Sequence, residues 1–193
     1  MNPKITLRAA TPDDAPAMAA LINIAGEGLP EWFWSTLAEN NEDPFTIGEA
    51  RARRETGGFS WKNGHVIEAD GAARALLITY PIGDEPDPID PAEMPAVFIP
   101  LQELENEALG TLYVNVLATE EAYRKRGYGS ELLEKAKELA KGRRMSLIVS
   151  DANENAMRLY EAHGFTPKTA RPSARTESWS GDGDNWVLML REG

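Results

Sequence analysis

Residues Tyr123–Ser130 read Tyr-Arg-Lys-Arg-Gly-Tyr-Gly-Ser, three consecutive cations running into two glycines. The chain around them is acidic, with 31 acids against 20 bases and a formal net charge of -11. Positive charge gathered at a glycine-broken turn does one kind of chemistry well, the binding of an anion. Glycines let backbone N–H groups converge, and the start of a following helix adds the positive end of its dipole. Arg124, Lys125 and Arg126 bring charge and Ser130 a hydroxyl, so phosphate or pyrophosphate is the favoured ligand. Taken alone, the same octapeptide also reads as a solvated turn.

Two phosphate motifs fail here. A P-loop requires lysine directly after its second glycine, and Ser130 follows Gly129. A dinucleotide fingerprint requires a third glycine where Leu132 stands, with the glycines directly after a strand. A second chemical feature lies downstream. Asn153 and Tyr160 are seven residues, or about two helical turns, apart, which puts them on one face of a helix. Asn153 also suits an N-cap, and Tyr160 with Ala156 and Leu159 also suits a core stripe.

The elements that must position these groups follow from periodicity and punctuation. Ile5–Ala9 suits a strand, and Thr11-Pro12-Asp13-Asp14 opens a helix that Gly26 and Gly28 stop. Helices are expected from about Pro30 to Glu39, carrying Trp32, Phe33 and Trp34, and over Pro44–Glu55. His65–Glu68 and Arg74–Pro81 form a hairpin around Asp70-Gly71. An acidic, proline-rich loop occupies about 83–100. Thr111–Ala118 alternates as a strand, Gly129–Ala140 is an amphipathic helix, and Met145–Ser150 is a strand. Asn153–His163 is a helix closed by Gly164, and Trp186–Leu190 a last strand. This order predicts one α/β (α+β) domain over residues 1–193, a mixed sheet flanked by helices.

Composition narrows the functions. There is no cysteine, hence no disulfide framework or thiol nucleophile, and two histidines do not make a histidine-rich metal site. The expectation is no metal. The acidity argues against nucleic acid, and no apolar run reaches the roughly 18 residues of a membrane span. Met1–Arg8 lacks the layout of a signal peptide, so a cytoplasmic location is expected.

Arg124-Lys-Arg-Gly127-Tyr-Gly129 resembles the Arg/Gln-x-x-Gly-x-Gly/Ala signature of the GNAT superfamily of acetyl-CoA-dependent N-acetyltransferases. Leu117-Ala-Thr-Glu-Glu-Ala-Tyr123 resembles the end of that family's central strand, with threonine where valine is usual and Glu121 where proline is usual. Asn153-Glu-Asn-Ala-Met-Arg-Leu-Tyr160-Glu-Ala-His-Gly164-Phe165 resembles the second signature, Asn-x-x-Ala-x-x-x-Tyr-x-x-x-Gly-Phe. The resemblance is tight over about Thr111–Phe165 and elsewhere follows only the order of elements.

It implies a GNAT-type, mainly antiparallel twisted sheet with a splayed central strand pair, and acetyl transfer to a primary amine without a covalent acyl-enzyme. It also implies that backbone amides of Arg126, Gly127, Gly129 and Ser130 cradle the pyrophosphate of acetyl-CoA, with Arg124 helping. Leu117 and Thr119 would pair their backbone with the pantetheine arm, Asn153 would touch it, and Tyr160 would protonate the leaving thiolate. For the general base, Glu103, Glu105 and Glu107 are candidates and Glu107, just before the strand, is preferred. The aromatic trio on the second helix could form an acceptor wall, and the acidity of the chain favours a cationic amine. A non-catalytic acyl-CoA-binding module and a phosphate-ligand protein unrelated to CoA are the alternatives. The acceptor and the oligomeric state, a homodimer among the options, stay open.

Overall fold

The computed structural model describes residues 5–193; Met1–Lys4, half of the stretch read for a signal peptide, lie outside the described residues. Strands β1 (Thr6–Ala9), β2 (Gly64–Ala69), β3 (Ala72–Pro81), β4 (Leu112–Thr119), β5 (Met145–Ser150), β6 (Thr166–Pro172) and β7 (Asn185–Arg191) form one sheet. Its order is β1-β2-β3-β4-β5-β7-β6. The pairs β1/β2, β2/β3, β5/β7 and β6/β7 are antiparallel, and β4/β5 is parallel. The register of β4 on β5 covers only Leu112–Val114 against Met145–Leu147, although both strands run on, as splayed central strands require. The helices are α1 (Ala15–Ala25), α2 (Leu29–Leu37), α3 (Pro44–Ala52), α4 (Ile99–Asn106), α5 (Tyr128–Ala140) and α6 (Glu154–Ala162).

The chain divides into two compact units, one of residues up to Thr79 with Asn115–Ala136, the other Tyr80–Val114 with Lys137–Gly193. In the first, Asp70 and Gly71 both take positive φ, 52° and 77°, the turn that suits the twist of a tight hairpin. Met18, Leu21 and Ile22 of α1 are buried, and α3 packs on both α1 and α2. Gly48 of α3 lies so close to Trp34 of α2 that a Cβ there would come within 2.6 Å of the indole. In α5 the buried Leu132, Leu133 and Ala136 keep helical spacing, so one face enters the core and the other stays in water.

The second unit holds two elements that the sequence reading did not anticipate, α4 and β6. Pro100 sits in the first turn of α4, where a missing N–H costs nothing. β6 carries Pro167 and Pro172 and lies at the sheet edge, where proline is tolerated. The acidic loop is anchored: the Asp87 amide donates to Asn106 Oδ1 at 3.0 Å, and Asn106 Nδ2 donates to the Asp87 carbonyl at 2.9 Å. The buried hydroxyls of Thr111 and Ser146, 2.6 Å apart, tie the approach to β4 to β5.

Candidate active site

Along the end of β4, Val116 and Ala118 are buried while Leu117 and Thr119 face outward. A single 3-10 turn, Glu121–Tyr123, then reverses the chain into the cationic segment. Lys125 and Gly127 have φ of 59° and 86°, so the backbone turns through left-handed conformations immediately before α5. A Cβ built on Gly127 would meet nothing within 4 Å, so glycine is required there by backbone conformation and not by crowding. The buried Tyr128 ring fixes the first turn of the helix in the core. The Glu131 amide bonds to the Gly127 carbonyl at 3.0 Å. The amides of Tyr128, Gly129 and Ser130 precede that bond and have no carbonyl within the helix to receive them.

The cations of this turn are held but not neutralised. Arg124 Nε donates to the Thr119 carbonyl at 3.3 Å, which occupies one acceptor position on a backbone expected to meet the pantetheine. Arg126 donates to the Ala122 carbonyl at 3.0 Å and lies over the Tyr123 ring, 4.7 Å from its centroid. On the same ring Arg74 sits 4.8 Å away, but that charge is matched by Glu120 at 2.9 Å. Among the described residues no carboxylate pairs with Arg124, Lys125 or Arg126. Free helix-end amides, a bare glycine backbone and unneutralised arginines fit a pyrophosphate.

The second unit supplies buried hydroxyls and one unusual acid. Tyr160 on α6 is 8% exposed, lies edge to face with Phe165, and its hydroxyl has no hydrogen bond among the described residues. Burial pushes its pKa up to about 12, so it is a neutral proton donor. Tyr113 of β4 is buried too, and its ring meets Tyr80 with centroids 5.4 Å apart at 69°. Burial, the Glu105 carboxylate and the neighbouring Tyr80 and Tyr160 hold Tyr113 protonated. Among the described residues Glu105 makes no ion pair; burial first, and then Asp87 of the acidic loop, push its pKa up to about 7. A carboxylate with that value takes up and gives back protons near neutrality.

The other sequence candidates fall differently. Glu103 and Glu107, four residues apart and so on one side of α4, both pair with Arg171 of β6: Nε to Glu103 at 3.0 Å, Nη2 to Glu107. All three acids thus belong to a helix or its end, an element that the sequence reading did not place. Asn153 is the N-cap of α6, accepting from the Ala156 amide at 3.2 Å, and is exposed where Tyr160 is buried. Of the aromatic trio, Trp34 is in the core against Phe45, and the Phe33 face is covered by Arg51, with 5.2 Å from guanidinium to ring centroid. That ring face already holds a cation of the protein itself. Sequence reasoning missed Tyr80 and Tyr113; the outward signal was only that each stands in a strand. Among the described residues no group of three or more His, Cys, Asp or Glu could hold a metal, and no helix is long and apolar enough to cross a membrane.

Residues 27–165 match the model of the Acetyltransferase (GNAT) family, and the chain belongs to that family. It is an acyltransferase by that membership. A crystal structure of an acetyltransferase superposes with a TM-score of 0.65 at 20% identity, covering 97% of this chain and 98% of the other. An N-acetyltransferase from Staphylococcus aureus Mu50 gives 0.63 at 17% identity, covering 96% and 99%. The ribosomal-protein-S18-alanine N-acetyltransferase from Escherichia coli gives 0.58 at 18% identity, covering 98% and 94%. At these identities the likeness is one of fold. Comparison with curated proteins returned no significant match.

Proposed function

We propose that this protein moves the acetyl group of acetyl-CoA directly to a primary amine, within a ternary complex and with no acetyl group carried on the protein. The observation that carries the reading is the turn ahead of α5: in an acidic GNAT chain, Arg124 and Arg126 are held beside free helix-end amides with no carboxylate partner among the described residues. Those residues, with Gly127, Gly129 and Ser130, hold the pyrophosphate. The outward backbone of Leu117 and Thr119 lies along the pantetheine, and Asn153 caps α6 so that Tyr160 is fixed. The cosubstrate supplies the activated acyl group; the chain supplies position and protons.

Glu105 takes the role first given to Glu107, whose carboxylate is committed to Arg171. It receives the proton that the amine gives up as its nitrogen forms the new N–C bond. Tyr160 gives its proton to the sulfur as the C–S bond breaks, then recovers one from solvent. A sulfur whose thiol has a pKa of about 8.5 leaves more readily when protonated, and a neutral phenol near 12 keeps its proton until then. A cytoplasmic setting accords with a chain free of cysteine.

The test joins calorimetric titration with CoA to a thiol-release assay over a panel of primary amines. Binding together with amine-dependent release is the expected outcome. Binding without release for any amine would make the chain a non-catalytic acyl-CoA-binding module, and no binding of CoA would remove the reading altogether.

A further inference from the structure

Tyr123 closes the 3-10 turn that leads into the cationic segment, and two guanidiniums lie over its ring, Arg74 at 4.8 Å from the centroid and Arg126 at 4.7 Å. Its hydroxyl donates to Asp70 Oδ2 at 2.7 Å, in the turn of the β2/β3 hairpin. Every member of this cluster belongs to the first unit. A cation over a ring recurs at Lys62 and Trp61, so that contact alone assigns no role. What sets Tyr123 apart is that its ring stands inside the cationic turn and that the charges around it are disposed unequally.

Arg74 Nη1 donates to both carboxylate oxygens of Glu120, at 3.1 and 2.9 Å, and the Glu120 amide donates to the Arg74 carbonyl at 2.9 Å. Arg74 is the neutralised member. Arg126, which is exposed, has the ring and one backbone bond, Nη2 to the Ala122 carbonyl at 3.0 Å. Both restraints fix its direction without cancelling its charge, since a ring face and a carbonyl carry no net charge. The Asp70 carboxylate acts at one remove: a phenol that donates to an anion is more electron-rich, and a more electron-rich face holds a cation more firmly. Negative charge in the hairpin turn thereby steadies Arg126 without pairing with it. A guanidinium already held in place loses less freedom when it meets a ligand, and so binds it more tightly.

We propose that Tyr123, held by Asp70, is a positioning residue for the cosubstrate: its ring pre-orders the Arg126 guanidinium to meet a phosphate group of acetyl-CoA. The role rests on the acetyl-CoA reading of the turn. It gives the Arg126 side chain a task beside the one that the family resemblance gives its backbone amide. It also ties the cofactor turn to a hairpin residue 53 positions away in sequence.

The experiment is a double-mutant cycle read by calorimetric titration with CoA, each variant first checked by its thermal melt. Tyr123→Leu should weaken CoA binding by about 3- to 10-fold, the range for ordering one long side chain. Tyr123→Phe keeps the ring and gives up the bond to Asp70, and should fall between Tyr123→Leu and wild type. In an Arg126→Gln background Tyr123→Leu should have no further effect, because the ring acts through that guanidinium. With an amine that gives thiol release, the loss should appear in KM for acetyl-CoA and not in kcat. Wild-type affinity in folded Tyr123→Leu, or an equal loss with and without Arg126, overturns the role and leaves Tyr123 as a packing residue. The same cycle with Tyr123→Phe decides the question if the leucine variant does not fold. Absence of CoA binding in wild type is a different result, which overturns the acetyl-CoA reading itself and this role with it.

Discussion

Arg171 of β6 donates through Nη2 to Glu107 while its Nε holds Glu103, and this double pairing divides the acids of α4 into two kinds. Glu103 and Glu107 are both tied to one permanent cation. Glu105, between them in sequence, points away from that side of the helix and is left with Tyr80, Tyr113 and Asp87 as electrostatic neighbours. Among the described residues Glu105 is the one acid of the three without an ion pair.

Removing that acid should therefore reshape the pH profile. With the Glu105 pKa at about 7, the form able to accept a proton grows in as pH rises through that value. Wild-type kcat/KM should show an inflection near pH 7 in addition to the ionisation of the amine. Glu105→Gln should lose that inflection and about 10²- to 10⁴-fold in rate. Glu107→Gln should keep both, and an unchanged profile in Glu105→Gln would return the base to another group or to water.

Glu105 also has a stability signature whose sign is fixed. Its folded pKa lies above the ordinary carboxylate value, so the folded state holds the proton more tightly than the unfolded state does. Stability from this group is full at acid pH and is lost as pH rises from the unfolded value through about 7. Glu105→Gln should melt at the wild-type temperature at pH 4 and be more stable than wild type at pH 8, by roughly 1–3 kcal/mol. Denaturant titrations at the two pH values decide it, and a variant less stable at pH 8 would show that the carboxylate makes favourable bonds when charged.

The cofactor turn predicts a selective loss. Gly129 lies in the first turn of α5, among the amides that have no carbonyl within the helix to receive them, so a glutamate there should both obstruct and repel a pyrophosphate. Gly129→Glu should fold, as judged by its thermal melt, and show no CoA binding by calorimetry. Wild-type affinity in the folded variant would separate the turn from the cosubstrate.

How much of this was legible beforehand differs between the two units. The cationic turn is local: Gly127 and Gly129, three cations and a following helix are all neighbours in sequence, and the structure places them at one helix end. The α5 stripe and the Asp70-Gly71 hairpin were legible for the same reason. α4 was not, because the prolines from Pro86 to Pro100 read as breakers, although Pro100 begins a helix. Its rotation is fixed by Arg171, 64 residues from Glu107. Glu105 differs from its neighbours only through burial and tertiary contacts, which no spacing encodes. β6, with two prolines and an exposed pattern, lacks the alternation of a half-buried strand, since an edge strand does not need it.

The approach of α3 to α2 offers a packing test away from the chemistry. A Cβ at Gly48 would stand 2.6 Å from the Trp34 ring, itself 1% exposed and braced by Phe45, so the indole has little room to yield. Gly48→Ala should lower stability by about 1–3 kcal/mol, the usual cost of overpacking. A thermal melt reads it directly, and an unchanged melting temperature would mean that the two helices separate freely.

Tyr160→Phe separates the hydroxyl from the ring. The phenyl keeps the edge-to-face contact with Phe165, so fold and CoA affinity should be preserved. Because the thiolate can also leave unprotonated, loss should be partial, about 10- to 1000-fold in kcat. The defect should shrink with an acyl donor whose thiol is more acidic. An unchanged kcat, with acetyl transfer shown to be rate-limiting, would leave Tyr160 as a core residue only.

Direct transfer is the centre of the account, and a single-turnover quench experiment with acetyl-labelled acetyl-CoA tests it most directly. Enzyme in excess is mixed with labelled cosubstrate and an amine that gives thiol release, and label is followed in CoA, in protein and in acetylated amine by mass spectrometry. The account predicts that label leaves acetyl-CoA at the rate it enters the amine, with no acetyl group on the protein at any time. A protein-bound acetyl group that forms and decays fast enough to lie on the path would contradict it.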